Sequence, residues 1–200
     1  MKYKWISVLL LLALLSSCAK VPTVTAEGEH WEENWTLVGT ILGVEPPEAP
    51  WKELDNKAAL AGNGLFYAAW TSGTPESYVN EDEETVDLYP AQIYLLLQER
   101  EDPSAIQEDV DAWRSLMEQQ NVILETSETT VGQQEYTVVT FDYDGADNPY
   151  AHGAAAFGAG PGGALCVEVS CQDDYDGDAT EILLDFLEGC HFSGGTEEQS

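Results

Sequence analysis

The chain has 200 residues, 44% hydrophobic and 10% aromatic, with 37 Asp and Glu against seven Lys and Arg for a formal charge of −30. That balance excludes a nucleic-acid binder, whose phosphate contacts need clustered Lys and Arg, and the apolar share excludes wholesale disorder. No apolar run reaches the roughly 18 residues of a bilayer-spanning helix. What remains is one globular domain behind an address label, with no activity legible in the composition.

The label comes first in the chain. Lys2 and Lys4 give a basic start, and Ile6 to Leu15 is apolar except for Ser7. Such a start, with small residues after it, describes a secretory signal peptide over residues 1–17. Leu15-Ser16-Ser17-Cys18 resembles the lipobox of bacterial lipoproteins. The resemblance implies a diacylglycerol thioether on Cys18 and acyl chains such as palmitate on the new N-terminus. Two or three chains anchor stably where one is marginal. The plainer alternative is an ordinary secretory signal with a chance cysteine. Cleavage would leave Lys20, Lys52, Lys57, Arg100 and Arg114 against all 37 carboxylates. So anionic a body is repelled by anionic lipid, so the membrane contact is expected to come from the lipid on Cys18. The expected location is the extracytoplasmic face of a cell membrane.

Residues 18–33 lack periodicity and read as a flexible tether, 34–192 as a single domain, and 193–200 as a disordered tail. Leu65 to Trp70 is strand-like and runs into the turn signal Thr71-Ser72-Gly73-Thr74-Pro75. Asn80 to Glu84 is an acidic turn. Ile93 to Leu97 is an apolar run of strand length, which periodicity alone does not separate from a helix. Asp102-Pro103 opens a helix, with Ser104 and Gln107 as an alternative capping box. Ile106, Val110, Trp113 and Met117 form its apolar stripe, and Asn121 ends it. Val122–Val131 and Tyr136–Tyr143 read as a hairpin around Gly132-Gln133. His152–Phe157 and Ala164–Cys171 read as a second, around a glycine-rich turn. A last helix is expected from Ala179 through Ile182, Leu183, Phe186 and Leu187 to Cys190, with Asp178 as N-cap and Gly189 near its end. The fold class is therefore α+β: an antiparallel β-sheet flanked by two main α-helices, both on one face.

The order of these elements resembles the PsbP-like fold, including the DcrB-like bacterial lipoproteins, over about Trp51 to Phe192. The likeness rests on Gly64-Leu65-Phe66-Tyr67-Ala68-Ala69-Trp70, on Leu88-Tyr89-Pro90 through Leu97, and on Leu187-Glu188-Gly189-Cys190-His191-Phe192. It implies a small antiparallel sheet with flanking helices and adaptor or assembly roles. It carries no functional residue onto this chain.

Gly158, Gly160 and Gly163 match GxGxxG, but a strand rather than a helix follows, and Pro161 removes an N–H that a phosphate would need. Neither Asp142–Asp147 nor Asp173–Asp178 fits a calcium loop. With Gly177 sixth, Leu183 falls at the twelfth position, where glutamate is required. Turn chemistry and helix capping account for these carboxylates. Strand alternation puts Cys171 on the apolar face with Val167 and Val169, and Cys166 on the other with Glu168 and Ser170. If a disulfide forms in an oxidising envelope, Cys171–Cys190 is the expected pair; buried free thiols are the alternative. His30, His152 and His191 stand in no HExxH motif, and GxSxG is absent. Trp31, Trp35, Trp51, Trp70 and Trp113 read as core rather than as a sugar-stacking surface. The expectation is a non-catalytic interaction or assembly module with an envelope protein partner, no nucleic acid and no cofactor. The alternative is an acidic module binding a cation or small molecule.

Overall fold

The computed structural model describes residues 35–193 other than 55–57, 61–62, 80–82 and 145–147. The expectations for the leader 1–17, Cys18, the tether 18–33 and the tail 194–200 lie outside the described residues. The strands run in order β1 (Thr36–Val38), β2 (Leu42–Val44), β3 (Lys52–Glu53), β4 (Ala58–Leu60), β5 (Leu65–Ser72), β6 (Glu76–Val79), β7 (Thr85–Leu88) and β8 (Ala91–Glu99). Helix α1 (Pro103–Gln120) follows, then β9 (Asn121–Val131), β10 (Gln134–Tyr143), β11 (His152–Gly160) and β12 (Gly163–Cys171). Helix α2 (Ala179–Glu188) and β13 (Cys190–Phe192) close the fold.

Mostly antiparallel sheet with two helices is the result. The main sheet has the order β3-β5-β8-β12-β11-β10-β9, with β4 also paired to β5. A three-stranded sheet, β1-β2-β13, and the β6-β7 hairpin stand apart from it. The β9-β10 and β11-β12 hairpins form as expected, the second around only Pro161-Gly162, with Gly162 at φ 81°. That left-handed backbone suits glycine. Ile93 to Leu97 is a strand, buried on one face and half-buried on the other, where Leu96 packs against the second core, so its apolar run is continuous.

The expectation of both helices on one face is corrected: each lies on its own. Ile106, Val110 and Met117 of α1 pack with Val139, Phe141, Ala155, Phe157 and Cys166. Leu183, Phe186 and Leu187 of α2 pack on the opposite face with Trp70, Ile93, Leu95, Val167, Val169 and Ala156. The strand residues alternate between these two clusters, so both faces are apolar and each needs a cover. Caps start both helices. The Asp102 carboxylate accepts the Ser104 N–H at 2.9 Å, with Pro103 at the first helical position. Asp178 accepts the Thr180 and Glu181 N–H groups at 2.8 and 3.0 Å. Both satisfy amides left free by the helix start.

The expected end of α2 at Cys190 is also corrected. The helix stops at Glu188; the Gly189 N–H turns back to the Phe186 carbonyl, and the Glu45 N–H donates to the Gly189 carbonyl at 2.8 Å. That bond draws Cys190 into pairing with Val44 of β2.

Candidate functional site

The main sheet ends on β9. Among the described residues no strand pairs with its outer side. Glu125–Val131 pairs residue by residue with Gln134–Thr140, whereas Leu124 is the extra residue of a bulge, since Thr140 faces Glu125 and Phe141 faces Ile123. The regular stretch Glu125-Thr126-Ser127-Glu128-Thr129-Thr130-Val131 holds no Lys, Arg or Pro. Natural sheet edges are commonly guarded by Lys, Pro, other charged side chains, bulges or shortness; this strand is 11 residues long and carries Glu125, Glu128 and the bulge at Leu124. Alternation puts Glu125 and Ser127 on the α2 side, with Thr129 and the core-packed Val131. Thr126 and Glu128 fall on the α1 side, where Glu128 accepts the Thr137 hydroxyl at 3.0 Å. At the start of β9, Val122 and Leu124 are 51% and 61% exposed. Leu124 lines a shallow cleft of about 360 Å³ with Thr140, His152, Asp178 and Thr180.

The surrounding charge is of one sign. The β9-β10 hairpin carries Glu125, Glu128, Glu135 and Asp142 and no base, and Arg114 is the last Lys or Arg in the sequence. Arg114 itself lies near Asp111 and Glu118, at 3.7 and 3.8 Å. Chemically, this rim offers main-chain donors and acceptors in an anionic field.

A second polar feature lies on the α1 face of the sheet. The Tyr143 hydroxyl donates to Glu168 Oε1 at 2.6 Å and stands 2.6 Å from Ser170 Oγ. Tyr94 is directly across from Glu168 in the β8-β12 pairing. Burial pushes the Glu168 carboxyl above its usual range, and the bonds from Tyr143 and Ser170 pull it partly back. Burial, then the Glu168 charge, raises Tyr143 and Tyr94.

Cys18 lies outside the described residues. Cys166, Cys171 and Cys190 stand as free thiols, the alternative to a Cys171–Cys190 pair. The two sulfurs border the same core, but Cys171 closes β12 opposite His152 and Ala91. Cys190 opens β13 in the other sheet, its Sγ directed at the Phe186 carbonyl at 3.5 Å. Burial raises all three thiols, Cys171 to about 11. His152 stands across from Cys171, whereas Cys166 faces Phe157 further along the same pair, so no His152–Cys166 couple forms.

The acidic segment after β12 borders a cleft of about 520 Å³ with Glu76, Pro90, Asp174, Tyr175 and Asp176. Among the described residues no three His, Cys, Asp or Glu are grouped to hold a metal ion. In the other acidic run, 145–147 lie outside the described residues. The tryptophans are dispersed: Trp70 is buried against Phe186, Trp113 packs under α1, Trp51 borders the α2-side core, and Trp35 stacks on His191 at 4.7 Å. Trp31 lies outside the described residues.

Two features escaped the sequence reading. Residues 122–131 show their strand character in Val, Ile and Thr, but nothing local says that a strand is last in its sheet. The Glu168 cluster left a trace: a carboxylate on a strand otherwise buried, sharing a face with Ser170.

No protein family and no curated protein matches this chain. Among solved structures it is similar to a crystal structure of a Bacteroides thetaiotaomicron protein, at 13% identity and TM-score 0.42, over 77% of this chain and 46% of that one. This chain thus spans less than half of that protein. It is also similar to the solution structure of cyanobacterial PsbP from Synechocystis, at 12% identity and TM-score 0.44, over 89% of this chain and 98% of that one.

Proposed function

We propose that this protein is a lipoprotein with a PsbP-like domain, tethered through Cys18 to the extracytoplasmic face of a cell membrane. Its domain docks an envelope protein partner and performs no catalysis. The observation that carries the docking part is that, among the described residues, no strand pairs with the outer side of β9. A long strand edge in water presents main-chain groups that another chain can use. The leader and Leu15-Ser16-Ser17-Cys18 support the anchor.

Two measurements test the reading. In a bacterial host fed an alkyne-bearing fatty acid, the full chain should become labelled, and Cys18→Ser should abolish the label. A photo-crosslinking residue at Thr126 or Thr130 should capture one defined envelope protein, and the same residue in the β6-β7 hairpin should not. Recovery of the unlabelled protein from the cytosol overturns the anchor; equal capture from both places overturns the docking assignment.

A further inference from the structure

Resting on the docking reading above, we propose that the partner of β9 is an extended segment carrying two basic residues three positions apart, added as a further strand along Glu125–Val131. The argument starts from the main chain. In an antiparallel pair, alternate residues turn their N–H and C=O groups outward. The seven residues 125–131 are paired to β10 without a break, so about three or four of them present both groups to a newcomer in one straight row. A strand is the element whose own groups match that row.

Charge then selects the strand. Glu125 and Glu128 are the only ionisable residues in the stretch, and both are exposed. Their odd spacing sends them to opposite faces of the sheet, as the contact of Glu128 with Thr137 and the pairing of Glu125 with Thr140 require. A newcomer that places one cation beside each must carry its own bases at an odd spacing, and three is the matching one. Directly opposed unlike charges favour pairing, and like charges oppose it. A second copy of this chain is a poor occupant. It brings a −30 body and its own Glu125 and Glu128 to the same rim. The hairpin, with no Lys or Arg of its own, has nothing with which to neutralise these carboxylates.

The test uses the soluble form lacking the leader and an acetylated, amidated fluorescent peptide, Thr-Val-Lys-Thr-Val-Lys-Thr. Anisotropy at physiological salt should show saturable binding, with protection of β9 amides from hydrogen exchange. A peptide with Glu in place of both Lys should bind at least about tenfold more weakly. A peptide N-methylated at alternate residues along the paired edge should not bind, because the row of main-chain bonds is lost. In the double variant E125K/E128K, whose circular dichroism checks the fold, the preference between Lys and Glu peptides should reverse. Equal binding of the N-methylated peptide, an unchanged preference in the double variant, or dimerisation of the protein through β9 overturns the proposal. If the peptide fails to bind while crosslinking from Thr126 still captures an envelope protein, the basic segment is wrong and the docking reading survives. If both fail, both are wrong.

Discussion

Glu168 is the side chain whose surroundings most contradict its usual habits. It sits on a strand flanked by buried neighbours, bonded to Tyr143 and Ser170. Burial raises its carboxyl above the ordinary value of an unfolded chain. The folded state therefore holds that proton more tightly than the unfolded one. The resulting stabilisation is complete below the ordinary carboxylate value and is lost as pH rises through the raised one. Glu168→Gln keeps an oxygen for the Tyr143 hydroxyl and removes the titration. Its stability relative to the native chain should grow as pH rises. Urea unfolding of both proteins from pH 4 to 8 measures the difference, and a constant difference refutes the buried-proton account. Alternation along β12 already placed Glu168, Ser170 and Cys166 on one face. Tyr143 reaches them from β10, and that meeting depends on strand order, which no local pattern encodes.

At the scale of elements, β11 explains how two helices share one sheet. Its sequence, His-Gly-Ala-Ala-Ala-Phe-Gly-Ala-Gly, is nearly all small residues. Ala154 and Ala156 meet the α2-side core and Ala155 the α1-side core, so both helices pack close over the middle of the sheet. A Cβ added at Gly153 would lie 2.5 Å from the Val169 carbonyl oxygen and 2.7 Å from the Phe141 ring. The carbonyl belongs to the neighbouring strand and cannot step aside. Gly153→Ala should therefore cost about 1–3 kcal/mol, read as a lower denaturation midpoint. An unchanged midpoint would show that β11 has slack absent from this packing. The helices and the two long hairpins were legible because each is long enough to show its pattern, whereas the continuous apolar run of β8 fitted strand or helix. The strands β1, β2, β3, β4 and β13 have only two or three residues each, too few to display one. The separation of α1 and α2 onto opposite faces was illegible for another reason. An apolar stripe says that a helix is covered, not which side of the sheet covers it.

For the whole molecule, charge dominates. A body at −30 repels itself, and screening should stabilise it. The alternative role in cation binding becomes a measurable comparison on that basis. Calcium and magnesium chlorides at equal ionic strength should raise the melting temperature equally, since neither acidic run has the ligand spacing of a calcium loop. An excess rise with calcium alone would revive the cation-binding role. The excess of carboxylates was plain in the sequence; where it matters was not, because the exposed rim that it surrounds exists only once β9 has taken the outermost place.

That rim also has a history in acid. Near the isoelectric point, about pH 4.1, the molecule as a whole carries no net charge, and the mutual repulsion that keeps copies apart disappears. Thr-Ser-Glu-Thr-Thr-Val is then a β-prone template that identical molecules can extend one upon another. Incubation at that acidity should give thioflavin-positive fibrils after a lag, whereas the same protein at pH 7 should stay clear. Seeding should shorten the lag, and Thr126→Pro should suppress growth. Growth undiminished in that variant would place the sticky segment elsewhere in the chain.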